Sequence, residues 1–334
     1  RPGKSFRNSI KLATREGIVV WIIVLGEITL GLLATWLVIG RFYDVPGSFG
    51  QLIEVGFAGG HGTAAAMGQI FDGSLGFPDG PDLAYFFATS GLIFGVVSGI
   101  AYINLAVRRG WTRSGNVGIP LLTGLEARST PKAIGMGKVR PEVIDPLVFQ
   151  SLIIAAAFVL GLAIQFVVMK AIPFGAQLFG ADDDTRIKIM RFAGNMPLFM
   201  FTLFAGLLVR ETMYLLKIGD LIDPESLRRI TGAAMEFLIV AAIASMKLSV
   251  LAKYTLPILI LLLLGFIWTG FCLLFIARRL LPKDYWFELG ILNYGMSTGT
   301  TAQGLMLLRI IDKDLESGAA EDYALAAPLS APFV

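Results

Sequence analysis

Long apolar runs alternate with short polar stretches along this chain. Ile18–Ile39, Leu83–Val107, Leu147–Ile172, Phe192–Val209, Ile230–Leu251 and Leu256–Ala277 each hold enough consecutive apolar residues to predict a helix crossing a hydrocarbon core about 30 Å thick. Two further apolar stretches are interrupted. Gln51–Ile70 is broken by Phe57-Ala58-Gly59-Gly60-His61-Gly62-Thr63, and Phe287–Leu308 by Asn293-Tyr294-Gly295-Met296-Ser297-Thr298-Gly299-Thr300-Thr301. Backbone can leave the helix at membrane depth only where protein buries it or it lines a watery cavity. Each stretch therefore predicts a re-entrant hairpin, at about 51–70 and 287–308. Arms of about eight residues rise about 12 Å, which sets each tip near the midplane.

Composition narrows the class. The chain is 55% hydrophobic and 16% charged, against about a quarter charged in soluble domains. This is the composition of an all-α polytopic membrane protein. A net charge of +3 is too small to suggest a nucleic-acid partner, and the single cysteine, Cys272, permits no internal disulfide. Basic residues set the orientation. Arg1, Lys4, Arg7, Lys11 and Arg15 place the leading segment in the cytoplasm, as do Arg108, Arg109, Arg113, Arg128, Lys132, Lys138 and Arg140 for the loop after the second span. The first hairpin then enters from outside and the second from the cytoplasm. The opening on Arg1, and an apolar stretch that starts at Tyr323 and stops at Val334, are expected of a piece of something longer.

Two interrupted stretches entering from opposite faces are what an inverted repeat produces. On that reading residues 1–107 end a first repeat (one helix, hairpin, one helix) and 108–145 form a basic cytoplasmic linker. Residues 146–334 hold a second repeat of four helices, a hairpin and the start of a last helix. Gly62-Thr63-Ala64-Ala65 faintly echoes Gly299-Thr300-Thr301-Ala302, and Glu54-Val55-Gly56 echoes Glu288-Leu289-Gly290.

A hairpin tip has its own chemistry. The outgoing arm begins there, so its free N–H groups favour an anion. The incoming arm ends there and leaves carbonyls able to hold a cation such as sodium. Candidate substrate contacts are Gly60, His61, Gly62 and Thr63 at the first tip, Ser297, Thr298, Gly299 and Thr300 at the second, and Asn195 in a possible helix break with Pro197. Candidate sodium ligands are Gly59, Gly60, Thr298, Thr301 and the mid-span carboxylate Glu27. Thr63 is expected to cap the run Ala64-Ala65-Ala66, and a threonine of the second tip the arm from Ala302. The bland alternatives are glycines used for tight packing, a histidine bonded to backbone, and a proline that merely opens a helix. Gly91, Gly95 and Gly99 recur every four residues and predict a packing face.

Enzyme chemistry has little to work with. The lone histidine leaves few acid–base partners and no metal cluster, so neither a cofactor nor a catalytic residue is expected. A transporter, with a channel as the rival, fits better.

Gly59-Gly60-His61-Gly62-Thr63-Ala64-Ala65-Ala66 resembles the first hairpin of the bacterial sodium/glutamate symporter family. Ser245-Met246-Lys247-Leu248, Tyr254-Thr255-Leu256-Pro257-Ile258-Leu259 and Asp284-Tyr285 are similar to that family's segments before the second hairpin. The resemblance implies two inverted repeats, a homodimer in the lipid of the bacterial cytoplasmic (inner) membrane, and elevator-type movement. It also implies sodium-coupled uptake of L-glutamate. One departure stands out: the family's second tip usually reads Gly-Ala-Thr-Pro-Thr-Ala, whereas Ser297-Thr298-Gly299-Thr300-Thr301-Ala302 has no proline. Another small anion, such as aspartate, malate or a citrate-like hydroxycarboxylate, therefore stays open as substrate.

Overall fold

The computed structural model describes residues 6–113, 145–178, 198–313 and 315–330, with isolated positions at Asp182, Thr185 and Ile187. Among them regular structure is helical throughout. The helices are α1 (Phe6–Leu37), α2 (Leu52–Gly56), α3 (Gly60–Gly73), α4 (Gly80–Arg108), α5 (Pro146–Leu178), α6 (Leu198–Leu215), α7 (Pro224–Ser245) and α8 (Leu248–Lys253). They continue with α9 (Thr255–Leu280), which carries a π-helical turn at Cys272–Ala277, then α10 (Trp286–Thr298), α11 (Thr301–Ile311) and α12 (Ala319–Ser330). Among the described residues, four stretches are long and apolar enough to cross a membrane: Lys11–Arg41, Gly80–Arg108, Pro146–Ile172 and Thr255–Leu280. Such helices support a multi-pass membrane protein.

The expected spans differ from the helices in instructive ways. α1 runs back into the basic leading segment, because polar residues at a helix start do not end it. The stretch Ile230–Leu251, expected as one span, is two helices. The chain leaves the helix after Ser245, and the N–H of Lys247 donates to Asp82 Oδ1 (3.0 Å) at the start of α8. Lys253 closes the same region on Asp79 (2.8 Å), to which Tyr254 also donates (3.2 Å). That carboxylate and the tyrosine hold the Lys253 ammonium above the ordinary lysine range. Most of the basic linker 108–145, over residues 114–144, lies outside the described residues.

The chain divides into two compact units. One comprises residues 1–126 and 238–334 and carries both interrupted stretches. Its helices approach through glycine. Gly31 of α1 lies against the backbone of Gly50, so closely that a Cβ there would overlap the Gly50 carbonyl. Trp268 of α9 fills the space beside Gly26 and donates its indole N–H to the Ile23 carbonyl (2.9 Å). The second unit, residues 127–237, includes α5 and α6, which meet where Gly161 faces Thr202. Gln150 there donates to the Leu221 carbonyl (2.8 Å) and accepts from the Asp223 N–H (3.2 Å). On α5, Phe158, Val159, Leu162, Phe166 and Val167 are exposed. An apolar surface of that size marks contact with lipid or protein rather than water.

Gly31→Ala forces a side chain into backbone and is expected to destabilise the protein by about 1–3 kcal/mol, the usual cost of overpacking. Gly73→Ala, with open space around it, is expected to leave stability unchanged. Thermal unfolding of the two purified variants in detergent checks the contrast.

Candidate functional site

Both interrupted stretches break, and each break is shorter than the polar sequence around it. In the first, α2 ends at Gly56 and α3 begins at Gly60. His61, Gly62 and Thr63 belong to the first turn of α3, so Thr63 does not cap the run of alanines. Gly59 stands at the cap position, and no side chain bonds there. In the second, Asn293 to Thr298 continue α10, and only Gly299 and Thr300 separate it from α11. Hydroxyls inside a helix can bond back to the preceding turn instead of opening it. Accordingly Ser297 and Thr298 donate to the Tyr294 carbonyl, at 3.2 and 2.8 Å. Thr300 is the true cap: its Oγ1 accepts from the Gln303 N–H (3.1 Å).

The two breaks touch. Gly60 has φ +66°, and a Cβ on it would stand 2.6 Å from the Gly299 carbonyl oxygen. Only glycine combines that backbone conformation with so close an approach. α4 holds both breaks through the stripe Gly91, Gly95 and Gly99. A Cβ at Gly91 would meet the Thr298 carbonyl (2.7 Å) and the Phe57 ring (2.8 Å), Gly95 faces Thr298 and Gln303, and Gly99 faces Leu307. The stripe is a packing face, as its spacing predicts, and it packs on the breaks themselves. Phe57, fully buried, stacks on Phe266 with centroids 5.3 Å apart and lies over Gly265. α10 and α11 close on each other where Gly295 meets Gly304.

The juxtaposition brings together the N-terminal ends of α3 and α11, of 14 and 11 residues. Their free N–H groups make that place attractive to negative charge. Gly62 has open space beside it, Thr301 and Ala302 are exposed, and Thr63 and Thr300 are half-buried. His61 is buried, with Nε2 3.1 Å from Thr89 Oγ1. It is therefore anchored to α4 rather than turned to the open side. Thr298 Oγ1 is fully buried and accepts from Gln303 Nε2 (3.3 Å). Thr301 Oγ1 lies 3.3 Å from the Tyr323 hydroxyl. Asn195 and Pro197 lie outside the described residues.

Negative charge is also built in. Glu27 on α1 is fully buried, neither carboxylate oxygen has a hydrogen-bond partner, and it lies beside the Ala58 backbone of the first break and near Glu54. A buried carboxylate without a basic partner is stable only with a cation or a proton. No cluster of three metal-ligating side chains occurs among the described residues, so any cation here would depend on backbone and hydroxyl oxygens besides Glu27. Sequence reasoning missed Gln303. Its Oε1 is buried without a partner beside Gly299. The signal was present, because Thr300-Thr301-Ala302-Gln303 has the spacing of a capping box.

Thr300→Ala removes the cap of α11 and is expected to cost about 0.5–2 kcal/mol, with Thr300→Ser restoring it. Gly60→Ala is expected to lower the melting temperature, whereas Gly62→Ala leaves it unchanged. Thermal unfolding with circular dichroism reads all four variants.

Comparison with known proteins follows the same lines. A family model described as "Sodium/glutamate symporter" matches residues 187–313, which include the second break. Curated relatives called sodium/glutamate symporter, from Escherichia coli (strain K12) and Shigella flexneri, are each 24% identical over 232 residues. Those residues are 70% of this chain and 51% of the relative, so the chain spans about half the length of the curated relatives it matches. No solved structure matches. The chain is thus similar, over part of its length, to proteins called sodium/glutamate symporter.

Proposed function

We propose that the protein containing this chain is a sodium-coupled symporter that imports L-glutamate. The observation that carries the reading is the contact of Gly60 with the Gly299 carbonyl, which joins two helix N-termini at one place beside the buried carboxylate Glu27. The N–H groups of Gly60, His61, Gly62 and Thr63, and those of Thr300, Thr301 and Ala302, meet the substrate carboxylates. Glu27, the carbonyls at Gly59, Gly60 and Thr298, and the Thr301 hydroxyl supply oxygens for sodium. The Thr298 hydroxyl, held by Tyr294 and Gln303, positions the break. Sodium must bind the loaded state in preference to the empty one, since a ligand shifts an equilibrium only through its differential affinity.

On this reading α2–α3 and α10–α11 are re-entrant hairpins of two inverted repeats, entering from opposite faces of the bacterial cytoplasmic membrane, and they move together in an elevator-type step. A homodimer set in lipid suits the exposed apolar face of α5. The absence of a proline in Ser297-Thr298-Gly299-Thr300-Thr301 favours one second reading, sodium-coupled uptake of another small anion through the same site.

Full-length protein in proteoliposomes is expected to accumulate labelled glutamate under an inward sodium gradient and not under a potassium one. Gly60→Leu and Gly299→Leu are expected to reduce uptake at least about tenfold, equivalent to about 1.4 kcal/mol, with the protein still folded in the membrane. Glu27→Gln is expected to raise the sodium concentration needed for half-maximal uptake. Competition by aspartate, malate and citrate separates the two substrates classes. Sodium-independent glutamate flux would sink the coupling.

A further inference from the structure

A second buried carboxylate lies away from Glu27. Glu16 sits within the membrane-spanning stretch of α1 and is fully buried, on the helix face that also carries Val19, Val20 and Ile23. Lys11 and Arg15, its basic neighbours on the same helix, are exposed. Neither Glu16 oxygen has a hydrogen-bond partner. Its neighbours come from two other helices: the Asn293 side chain of α10, and Asp322 with Tyr323 of α12. Asn293 is itself buried, and neither its Oδ1 nor its Nδ2 has a partner. The Asn293 side chain lies close enough to interact with the Glu16 carboxyl, yet no well-formed hydrogen bond joins them, so both side chains are buried with poorly satisfied polar atoms. A buried polar group is costly when nothing pairs with it, and a carboxylate costs more than an amide.

We propose that Glu16 and Asn293 form a second sodium-binding site, at the junction of α1, α10 and α12. A small hard cation solves the problem with oxygen ligands alone. It would take the Glu16 carboxylate and the Asn293 carbonyl oxygen as ligands, which frees the Asn293 NH₂ to turn to the other carboxylate oxygen. The Asp322 carboxylate, buried nearby and accepting a short hydrogen bond from Tyr285, adds to the negative potential. Tyr323 links the site to the second break, because its hydroxyl reaches Thr301 at the start of α11. Asn293 lies on the helix that runs into the same break. Filling the site therefore ties α1 and α12 to both arms around Gly299.

The test reads ion binding without substrate or gradient, so its outcome is independent of the transport reading. Radioactive sodium is titrated into purified full-length protein by equilibrium dialysis, at constant ionic strength with potassium as the replacement ion. Wild type is expected to show a class of sodium binding that depends on Glu16. Glu16→Gln is expected to lose that class while Glu27→Gln keeps it, with both variants eluting as folded protein. Asn293→Asp, which adds a carboxylate at the same place, is expected to tighten the Glu16 class at least about tenfold. It also serves if Glu16→Gln fails to fold. Sodium binding unchanged in Glu16→Gln, or in Asn293→Asp, overturns the site. So does a wild-type protein in which this class responds to pH and not to sodium, which would mean a protonated acid–amide pair instead. Loss of glutamate uptake with sodium binding intact would count against the transport reading only.

Discussion

Every backbone donor and acceptor that leaves a helix inside hydrocarbon must find its partner within the protein. On the proposed reading that constraint governs the unit that carries the breaks. Each break is cut to the minimum, Phe57–Gly59 in one stretch and Gly299–Thr300 in the other, because each residue outside the helix adds groups to satisfy. The breaks lean on each other at Gly60 and Gly299, and both lean on α4. The glycines at these places are not spare flexibility. They remove the side chains that would hold two backbones apart.

Close packing and ion chemistry then follow from one arrangement. The stripe Gly91, Gly95 and Gly99 lets α4 pass within van der Waals contact of Thr298, Gln303 and Leu307, which holds the ends of α10 and α11 in register beside the start of α3. Elsewhere in the unit, burial on α1 excludes water. Carboxylates such as Glu27 and Glu16 therefore have no solvent to neutralise them, and their need for a counter-charge becomes acute. On the proposed reading, packing creates the demand for a cation, and the broken helices supply the oxygens that can meet it.

The polar and charged groups also sort by function. Asp79, Asp82, Lys253 and Tyr254 bond among themselves where α8 and α9 begin, and hold that join together. Glu16, Glu27, Asn293 and the Gln303 carbonyl oxygen keep unpaired atoms in the interior. Paired groups of the first kind are architecture. Unpaired buried groups of the second kind are the ones with capacity left for a ligand.

Hydrophobic run lengths in the sequence were enough to predict long apolar helices of the kind the described residues form, and glycine spacing was enough to mark both breaks and the packing face of α4. Those features are local: a run is long or short, and a glycine recurs every four residues, whatever surrounds it. The extent of each break was not legible, because serine, threonine and histidine are compatible with a first or last turn as well as with a loop. Tertiary contact decided that Thr300 rather than Thr63 caps its helix. Nor could the sequence say that Glu16, next to Arg15 in a basic segment, is buried while its neighbour is exposed. Only the packing of α1 against α10 and α12 separates the two, since burial is a property of the surroundings that a helix meets and not of the residue that meets them.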